Sequence, residues 1–151
     1  MGVTEQLSLL VRLYRRKVPT SGRKLMGSLE FANRTAVVTG GASGIGAATA
    51  QQLGELGASV AIFDLNEAAA AQRAADLRSN GSDFTAYALD VSDDQALAAA
   101  IAQVAVRTGT VDLLVSCAAC FISAGRDATR SDWDRVLSVN GRATTQIEVV
   151  A

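Results

Sequence analysis

A glycine-rich segment, TGGASGIG at residues 39–46, constrains the fold of this chain more than any other feature. A short run rich in β-branched residues, 35–38, precedes it, and a run with helical apolar spacing follows it. Because glycine has no Cβ, such a loop turns tightly and lets a ligand approach the backbone. A pyrophosphate in that position binds the free N–H groups at the positive end of the helix. The segment therefore predicts a dinucleotide-binding turn, and the alternative is a tight turn without a ligand.

Short apolar runs and longer helical patterns alternate along the rest of the chain. This alternation is typical of βαβ units that build a parallel sheet. The predicted strands are residues 35–38, 59–63, 84–89 and 111–116. The predicted helices run from the glycine-rich segment to Gly57, over residues 67–79, from Ser92 to Thr108, and from Ser131 onward. Strands that alternate with helices in this way imply an α/β fold.

Helical spacing also predicts which side chains face the sheet. The predicted inward faces are Ile45, Thr49, Leu53 and Leu56 on the first helix, Ala70, Ala74 and Leu77 on the second, and Leu97, Ile101 and Val104 on the third. Trp133, Leu137 and Asn140 share one face of the last helix, and we expect this face to be buried. Patterns of the capping-box type predict that Ser92 and Ser131 cap the third and fourth helices.

The first 25 residues differ from the rest of the chain in charge. They carry six Lys or Arg side chains and one acid, Glu5, which gives them a net charge of +5 and leaves −6 for residues 26–151, out of a total of −1. We therefore divide the chain into a basic extension, residues 1–25, and a nucleotide-binding domain, residues 26–151. The extension is expected to be disordered or to precede the true start, and a targeting presequence is the alternative.

Composition argues against several classes of protein. Acidic and basic residues nearly balance, which gives no indication of nucleic acid or an anionic membrane as a partner. No apolar run reaches the roughly 18 to 20 residues that span a bilayer. The two cysteines, Cys117 and Cys120, follow no secretory pattern, so we expect a cytoplasmic location. Their C-x-x-C spacing also occurs in zinc and redox sites, but small apolar residues are the favoured interpretation because the chain has no histidine.

Asp64 follows the second predicted strand directly and lies 18 residues beyond Gly46. A carboxylate there can accept hydrogen bonds from both hydroxyls of an adenosine ribose. It would also repel a 2′-phosphate, and no Lys or Arg lies between Asp64 and Arg73 to attract one. NAD is therefore favoured over NADP. The alternative is that Asp64 only opens a turn, as aspartate often does.

The spacing Thr-Gly-x-x-x-Gly-x-Gly resembles that of the short-chain dehydrogenase/reductase family. Three later segments agree with the same family, namely LDVSD at 89–93, VDLLVSCAA at 111–119 and DWDRVLSVN at 132–140. The resemblance runs from about Phe31 to Asn140. It implies a Rossmann-type, doubly wound parallel sheet, incomplete here, with strand order 3-2-1-4. It also implies hydride transfer between a nicotinamide cofactor and a small alcohol or carbonyl substrate.

The resemblance assigns roles to particular positions. The residues that it implies to bind the cofactor are Gly40, Ser43, Gly44, Ile45, Gly46, Asp64, Leu65, Asp90, Val91, Cys117, Ala118 and Ala119. Asp90 is implied to contact the adenine amino group, and Val91 to pack beside the ring. Asn140 matches the asparagine of the family's catalytic tetrad, which is thought to help organise a water for proton relay.

Two departures from the family pattern bear on function. The family's Asn-Asn-Ala-Gly reads Ser-Cys-Ala-Ala at 116–119, which shortens an amide that braces the sheet and adds a methyl near the cofactor. We expect a lower cofactor affinity as a result. The family's catalytic Ser and Tyr-x-x-x-Lys have no match, since neither Tyr14 nor Tyr87 has a lysine four residues later. We therefore predict that this polypeptide alone is inactive, although it binds the cofactor.

Two other interpretations remain open at this point. In the first interpretation, the chain is a non-catalytic nucleotide-binding module that associates with an intact relative through the uncovered edge of the fourth strand. Otherwise, it is a truncated product that folds poorly, because Thr144, Thr145 and Gln146 dilute the apolar stripe of the last helix.

Overall fold

A parallel β-sheet organises the computed structural model, which describes residues 30–79 and 81–150. Its strands are β1 (Thr35–Thr39), β2 (Ser59–Asp64), β3 (Phe84–Ala88) and β4 (Leu113–Ser116). They lie side by side in the order β3-β2-β1-β4, and each neighbouring pair is parallel. The predicted strand order and fold class are confirmed. The predicted basic extension, residues 1–25, lies outside the described residues.

Helices connect the strands and continue beyond the last of them. They are α1 (Gly44–Glu55), α2 (Glu67–Arg78), α3 (Asp94–Thr108), α4 (Arg130–Leu137) and α5 (Ala143–Val150), with a 3-10 turn at Gly125–Asp127 and a π-helical turn at Ser138–Arg142. The sheet is covered on both faces. One face packs against α1 and α2, and the other packs against α3 and α5. Such a covered parallel sheet explains why β1 is buried at every position.

The register of the strands brings their carboxyl ends to one edge of the sheet. Thr39 at the end of β1 pairs with Phe63 on one side and with Ser116 on the other. The segments that follow β1, β2 and β4 therefore leave the sheet next to one another. In open α/β sheets this edge is where ligands bind.

The predicted inward faces of the second and third helices are confirmed, but that of the first is largely wrong. Of its four predicted residues only Leu53 is buried, while Ile45 is 81% exposed. The buried face of α1 consists mainly of small residues, namely Gly46, Ala47, Ala50, Leu53 and Gly54. Small side chains let α1 approach the sheet closely, and their weak hydropathy hides this face from a search for large apolar residues.

Gly54 provides a test of this close approach. A Cβ on Gly54 would overlap the ring of Phe84, which is buried in the core. We expect Gly54→Ala to destabilise the protein by about 1–3 kcal/mol through overpacking, measured by urea denaturation. In the control Gly141→Ala, the new Cβ meets nothing within 4 Å. That variant should be unchanged or about 0.5–1 kcal/mol more stable. Equal effects of the two substitutions would contradict the packing described.

Two helix starts differ from their predictions by one or two residues. Asp93, rather than Ser92, caps α3, and its carboxylate accepts hydrogen bonds from the N–H groups of Gln95 and Ala96 at 3.0 and 3.1 Å. For α4 the cap is Thr129 rather than Ser131, because Thr129 and Asp132 form a reciprocal capping box. Asp93 follows the predicted cap of α3 by one residue, and Thr129 precedes the predicted cap of α4 by two. Each of them makes the capping hydrogen bonds in place of the predicted serine.

The predicted buried face of the last helix is also wrong. Trp133 and Leu137 are 55% and 63% exposed, and Asn140 is exposed as well. The π-helical turn at Ser138–Arg142 has a wider hydrogen-bond spacing, which changes the direction in which later residues point. The residues that pack inward after α4 are instead Val139, Ala143 and Ile147, each four positions apart.

Candidate functional site

A cleft of about 470 Å³ lies at the carboxyl ends of the strands, and we call it the strand-end cleft. Its volume falls within the usual range for small-molecule sites. All twelve residues that the resemblance implied to bind a cofactor line it, namely Gly40, Ser43, Gly44, Ile45, Gly46, Asp64, Leu65, Asp90, Val91, Cys117, Ala118 and Ala119. Positions up to 79 residues apart in the sequence thus meet in one cavity.

The glycine turn between β1 and α1 forms one wall of this cleft. Gly40 has a φ of 63° and donates a hydrogen bond from its N–H to the Phe63 carbonyl at 2.8 Å. A Cβ on Gly40 would lie 2.8 Å from the Ala118 nitrogen, and a Cβ on Gly46 would overlap the Gly40 carbonyl oxygen. Glycine is therefore required at position 40 by the packing of the turn against the loop after β4, and at position 46 by the close approach of α1 to the turn itself.

The first turn of α1 is open to the cleft. Its N-cap, Ser43, makes no side-chain capping hydrogen bond, and the turn contains no acidic residue. Gly44 has a φ of 52°, and a Cβ there would meet nothing within 4 Å. The positive end of α1 thus faces open space, an arrangement that suits a phosphate group.

Asp64 lies at the end of β2, next to the glycine turn. One carboxylate oxygen accepts a hydrogen bond from the Ala42 N–H at 3.1 Å, and the other accepts one from the Asn66 N–H at 3.0 Å. Asn66 in turn caps α2 by accepting from the Ala69 N–H. The carboxylate therefore opens a turn and ties β2 to the glycine turn. It also lines the cleft, where its further lone pairs are available to a ligand.

Asp90 lies in the cleft beyond the end of β3. The Ser92 hydroxyl donates to its carboxylate at 2.7 Å and the Ser92 N–H donates at 2.9 Å. These two bonds, with a smaller contribution from the positive charge of Arg135, hold the pKa of Asp90 below its ordinary value. Arg135 itself lines the cleft. Because it comes from α4, sequence reasoning did not place it there.

Thr39 braces the loop that follows β4. Its side-chain hydroxyl oxygen accepts hydrogen bonds from the N–H groups of Cys117 and Ala118 at 3.1 and 3.2 Å. Its carbonyl accepts a further bond from the Cys117 N–H at 3.1 Å. Thr39 was part of the motif, but this role of its hydroxyl was missed. The bracing between β1 and β4, which the family pattern assigns to an amide, here includes the threonine hydroxyl.

Asn140 lies at the border of the cleft rather than in its lining. Its side-chain oxygen accepts a hydrogen bond from the Cys120 N–H at 2.9 Å, and its side-chain nitrogen donates to the Cys120 carbonyl at 2.9 Å. The amide therefore holds the loop after β4 from both sides. Its inherited role in proton relay stays a prediction.

Six residues of the lining were missing from the sequence-based set, namely Phe63, Leu89, Cys120, Phe121, Arg135 and Val139. Cys120 and Phe121 continue the loop that begins at Cys117, so their position along the chain was a usable signal. Arg135 and Val139 reach the cleft only because the chain folds back after β4. Tyr87, which lacks a lysine four residues later, packs its ring edgewise against the ring of Phe63, and the two ring centroids are 5.3 Å apart.

Residues 30–79 and 81–150 contain neither a metal-binding cluster nor a membrane-spanning helix. In that part of the chain, no group of three or more His, Cys, Asp or Glu side chains is arranged to hold a metal ion. Likewise, none of the helices described there combines the length and the apolar character that crossing a membrane requires.

The parallel sheet, the glycine turn and the cleft at the strand ends define a Rossmann-type α/β protein. The chain belongs to the short chain dehydrogenase family, since the model of that family matches residues 34–149. The matched range includes every strand and helix described above, apart from the last residue of α5.

Individual relatives agree with this assignment. A short chain dehydrogenase/reductase of Colletotrichum higginsianum is 36% identical over 135 residues, covering 87% of this chain and 49% of the relative. D-threitol dehydrogenase of Mycolicibacterium smegmatis is 35% identical over 124 residues, which cover 80% of this chain and 48% of that enzyme. The structure of a metagenomic short-chain oxidoreductase in complex with NADP matches with a TM-score of 0.74 and 30% identity. The match covers 80% of this chain and 55% of that chain. The chain therefore spans about half the length of these relatives.

Proposed function

We propose that the strand-end cleft binds a nicotinamide dinucleotide, preferably NAD. The chain then supplies the cofactor-binding part of an oxidoreductase that transfers hydride between NAD(H) and an alcohol or carbonyl substrate. The observation that carries this proposal is the convergence of all twelve predicted cofactor residues on one cleft. Membership of the short chain dehydrogenase family also supports the proposal.

The glycine turn is the proposed site for the pyrophosphate. The N–H groups of the first turn of α1 are not capped by the Ser43 side chain and so remain available to an anion. At the other end of the cleft, Asp90 and Val91 are the proposed contacts of the adenine. The nicotinamide, when bound, supplies the hydride acceptor, and the residues of this chain hold and orient it.

Asp64 is the proposed basis of the preference for NAD. Its carboxylate would accept hydrogen bonds from the ribose hydroxyls of NAD and repel the 2′-phosphate of NADP. The nearest following cation in the sequence, Arg73, is already engaged, because its guanidinium donates to the Gln51 side chain at 3.0 Å and to the Ala47 carbonyl at 3.3 Å. A relative in complex with NADP shows that other members of the family use that cofactor.

Thermal melting of the full chain tests the proposed binding. A ligand at 100 times its Kd stabilises the folded state by about 2.7 kcal/mol, so NAD at that concentration should raise Tm by several degrees. Nicotinamide alone, which lacks the pyrophosphate and the adenosine, is the control and should leave Tm unchanged. A Tm that does not respond to NAD at any concentration would contradict the proposal.

The 151-residue chain is expected to bind the cofactor without turning over a substrate. Its sequence contains no Tyr-x-x-x-Lys pair to act as general base on an alcohol. Incubation of the purified chain with NAD and either propan-2-ol or D-threitol should therefore form no NADH above a protein-free blank. Formation of NADH that saturates with NAD would overturn this expectation.

A second candidate function is that of a non-catalytic partner. Within the described residues β4 pairs with β1 only, and its residues are half-buried or exposed, so its other edge is available to another strand. Co-sedimentation of the chain with an intact relative would favour this function. We propose a cytoplasmic location for either function, because two cysteines in 151 residues do not indicate a disulfide-rich secreted domain.

A further inference from the structure

Arg135 is the only cationic side chain among the described residues that line the strand-end cleft. It belongs to α4, and the motifs of the sequence did not assign it to the cofactor site. The other charged side chains of the lining are two carboxylates, Asp64 and Asp90. A dinucleotide carries two phosphates, so a guanidinium in this lining offsets part of the repulsion that the carboxylates exert on such a ligand. Which part of the ligand Arg135 meets depends on its place within the cleft.

Packing places Arg135 beside Asp90, beyond the end of β3. Arg135 and Val139 both line the cleft and lie about one helical turn apart. Val139 packs with Val91, the residue that follows Asp90. Two hydrogen bonds from Ser92 lower the pKa of Asp90 most, and the positive charge of Arg135 lowers it further. Arg135 and Asp90 therefore lie together at the end of the cleft that is proposed for the adenine.

Both charged groups keep hydrogen-bonding capacity for a ligand. The two bonds from Ser92 go to the same carboxylate oxygen of Asp90, Oδ1, so Oδ2 accepts no hydrogen bond from the described residues. The Arg135 guanidinium likewise makes no hydrogen bond or ion pair with a described residue, although each of its N–H groups is a donor. An available acceptor and available donors thus lie side by side in the cleft.

Adenine carries the complementary pattern of groups. Its 6-amino group is a donor, and the ring nitrogens on either side of it, N1 and N7, are acceptors. Asp90 is the proposed partner of the amino group. A donor that lies next to this carboxylate meets one of the two neighbouring ring nitrogens, while the side chain of Val91 offers apolar surface to the ring.

We propose that Arg135 is a further cofactor-binding residue, which donates a hydrogen bond to a ring nitrogen of the adenine while Asp90 Oδ2 accepts one from the 6-amino group. Together the two side chains select adenine over bases that lack this pairing of a donor with an acceptor. The inference rests on the proposed function, because it assigns a contact within the same dinucleotide site.

Analogues of NAD test this contact atom by atom. In 1-deaza-NAD and in 7-deaza-NAD a C–H group replaces one ring nitrogen of the adenine, while the charge and the outline of the ligand stay the same. Calorimetric titration gives the Kd of NAD and of each analogue for the full chain and for Arg135→Met, which keeps an unbranched side chain and removes its donors. Arg130→Met is the matched control, because it removes the same charge from an exposed residue of α4 that does not line the cleft. A circular-dichroism melt accompanies each protein.

In the unaltered chain, at least one analogue should bind about tenfold more weakly than NAD, or ~1.4 kcal/mol, through loss of a hydrogen bond from a charged donor. NAD itself should bind Arg135→Met about tenfold more weakly for the same reason. In that variant the penalty of the analogue relative to NAD should fall below about twofold, because the donor is already absent. In Arg130→Met every dissociation constant should stay within about twofold of its value for the unaltered chain.

Several results would overturn the inference. If neither analogue binds the unaltered chain more weakly than NAD, no ring nitrogen accepts a hydrogen bond, and this measurement needs no variant. A penalty that persists in Arg135→Met assigns the contact to another group, such as a backbone N–H, and leaves Arg135 with an effect of charge alone. If the unaltered chain does not bind NAD at all, the proposed function fails and this inference fails with it. Binding of NAD without a penalty that depends on Arg135 overturns this inference alone.

Discussion

Replacing Asp64 with asparagine is expected to lower the preference for NAD over NADP by about 30-fold, or ~2 kcal/mol. The effect follows from removing one negative charge a few ångströms from the proposed position of a 2′-phosphate, at the edge of a solvent-exposed cleft. Affinity for NAD itself should fall by about tenfold, because a neutral amide oxygen accepts the ribose hydroxyls more weakly than a carboxylate does.

Calorimetric titration of both cofactors measures this effect. Asparagine keeps the size of the side chain, but its single oxygen can accept only one of the two hydrogen bonds that Asp64 accepts from Ala42 and Asn66, so a circular-dichroism melt of D64N accompanies the titration. The control is Asp76→Asn, which removes an exposed carboxylate on α2 that does not line the cleft. Both dissociation constants should stay within about twofold in that control. A ratio of NADP to NAD affinity that does not change in D64N would contradict the role proposed for Asp64.

Replacing Gly46 with alanine is expected to cost at least about 3 kcal/mol of the free energy of unfolding. A Cβ at this position would overlap the Gly40 carbonyl oxygen, which is backbone, and the Gly40 N–H is bonded to the end of β2. Either the glycine turn or α1 has to shift. Because a domain of this kind is stable by only about 5–15 kcal/mol, the substitution removes a large part of that stability. Chemical denaturation followed by circular dichroism measures it.

Gly44 provides the matched control for Gly46. Alanine there meets no atom within 4 Å, so its cost comes only from the left-handed φ of 52°. That cost should be about 1–2 kcal/mol. If Gly44→Ala and Gly46→Ala destabilise the protein equally, the close approach between Gly46 and Gly40 does not explain the motif.

The sheet and most of the cleft could be predicted from the sequence because their signals are local. A parallel strand buried on both faces is a short apolar run, and a glycine-rich turn between such a strand and a helix is typical of a nucleotide-binding loop. With a strand order of 3-2-1-4, the ends of β1, β2 and β4 have to meet. Asp64 and Cys117 were thereby placed near the glycine turn without any knowledge of side-chain contacts.

The sequence-based predictions were wrong where tertiary packing, rather than the local apolar pattern, determines which residues are buried. The inward face of α1 was missed because a helix that lies very close to the sheet buries glycine and alanine, which carry little hydropathy. The face of the last helix was missed because α4 buries none of its residues, and the π-helical turn that follows it places Val139, Ala143 and Ile147 inward instead. Arg135 and Val139 were not assigned to the cleft because they reach it only through the return of the chain after β4.

Calorimetric titration of the full chain with NAD and then with NADP tests the central claim most directly. We predict saturable binding of one NAD per chain and weaker binding of NADP, by a protein whose melt is cooperative. A chain that melts cooperatively and gives no binding heat with either cofactor, at any temperature tried, would contradict the claim that the strand-end cleft is a dinucleotide site.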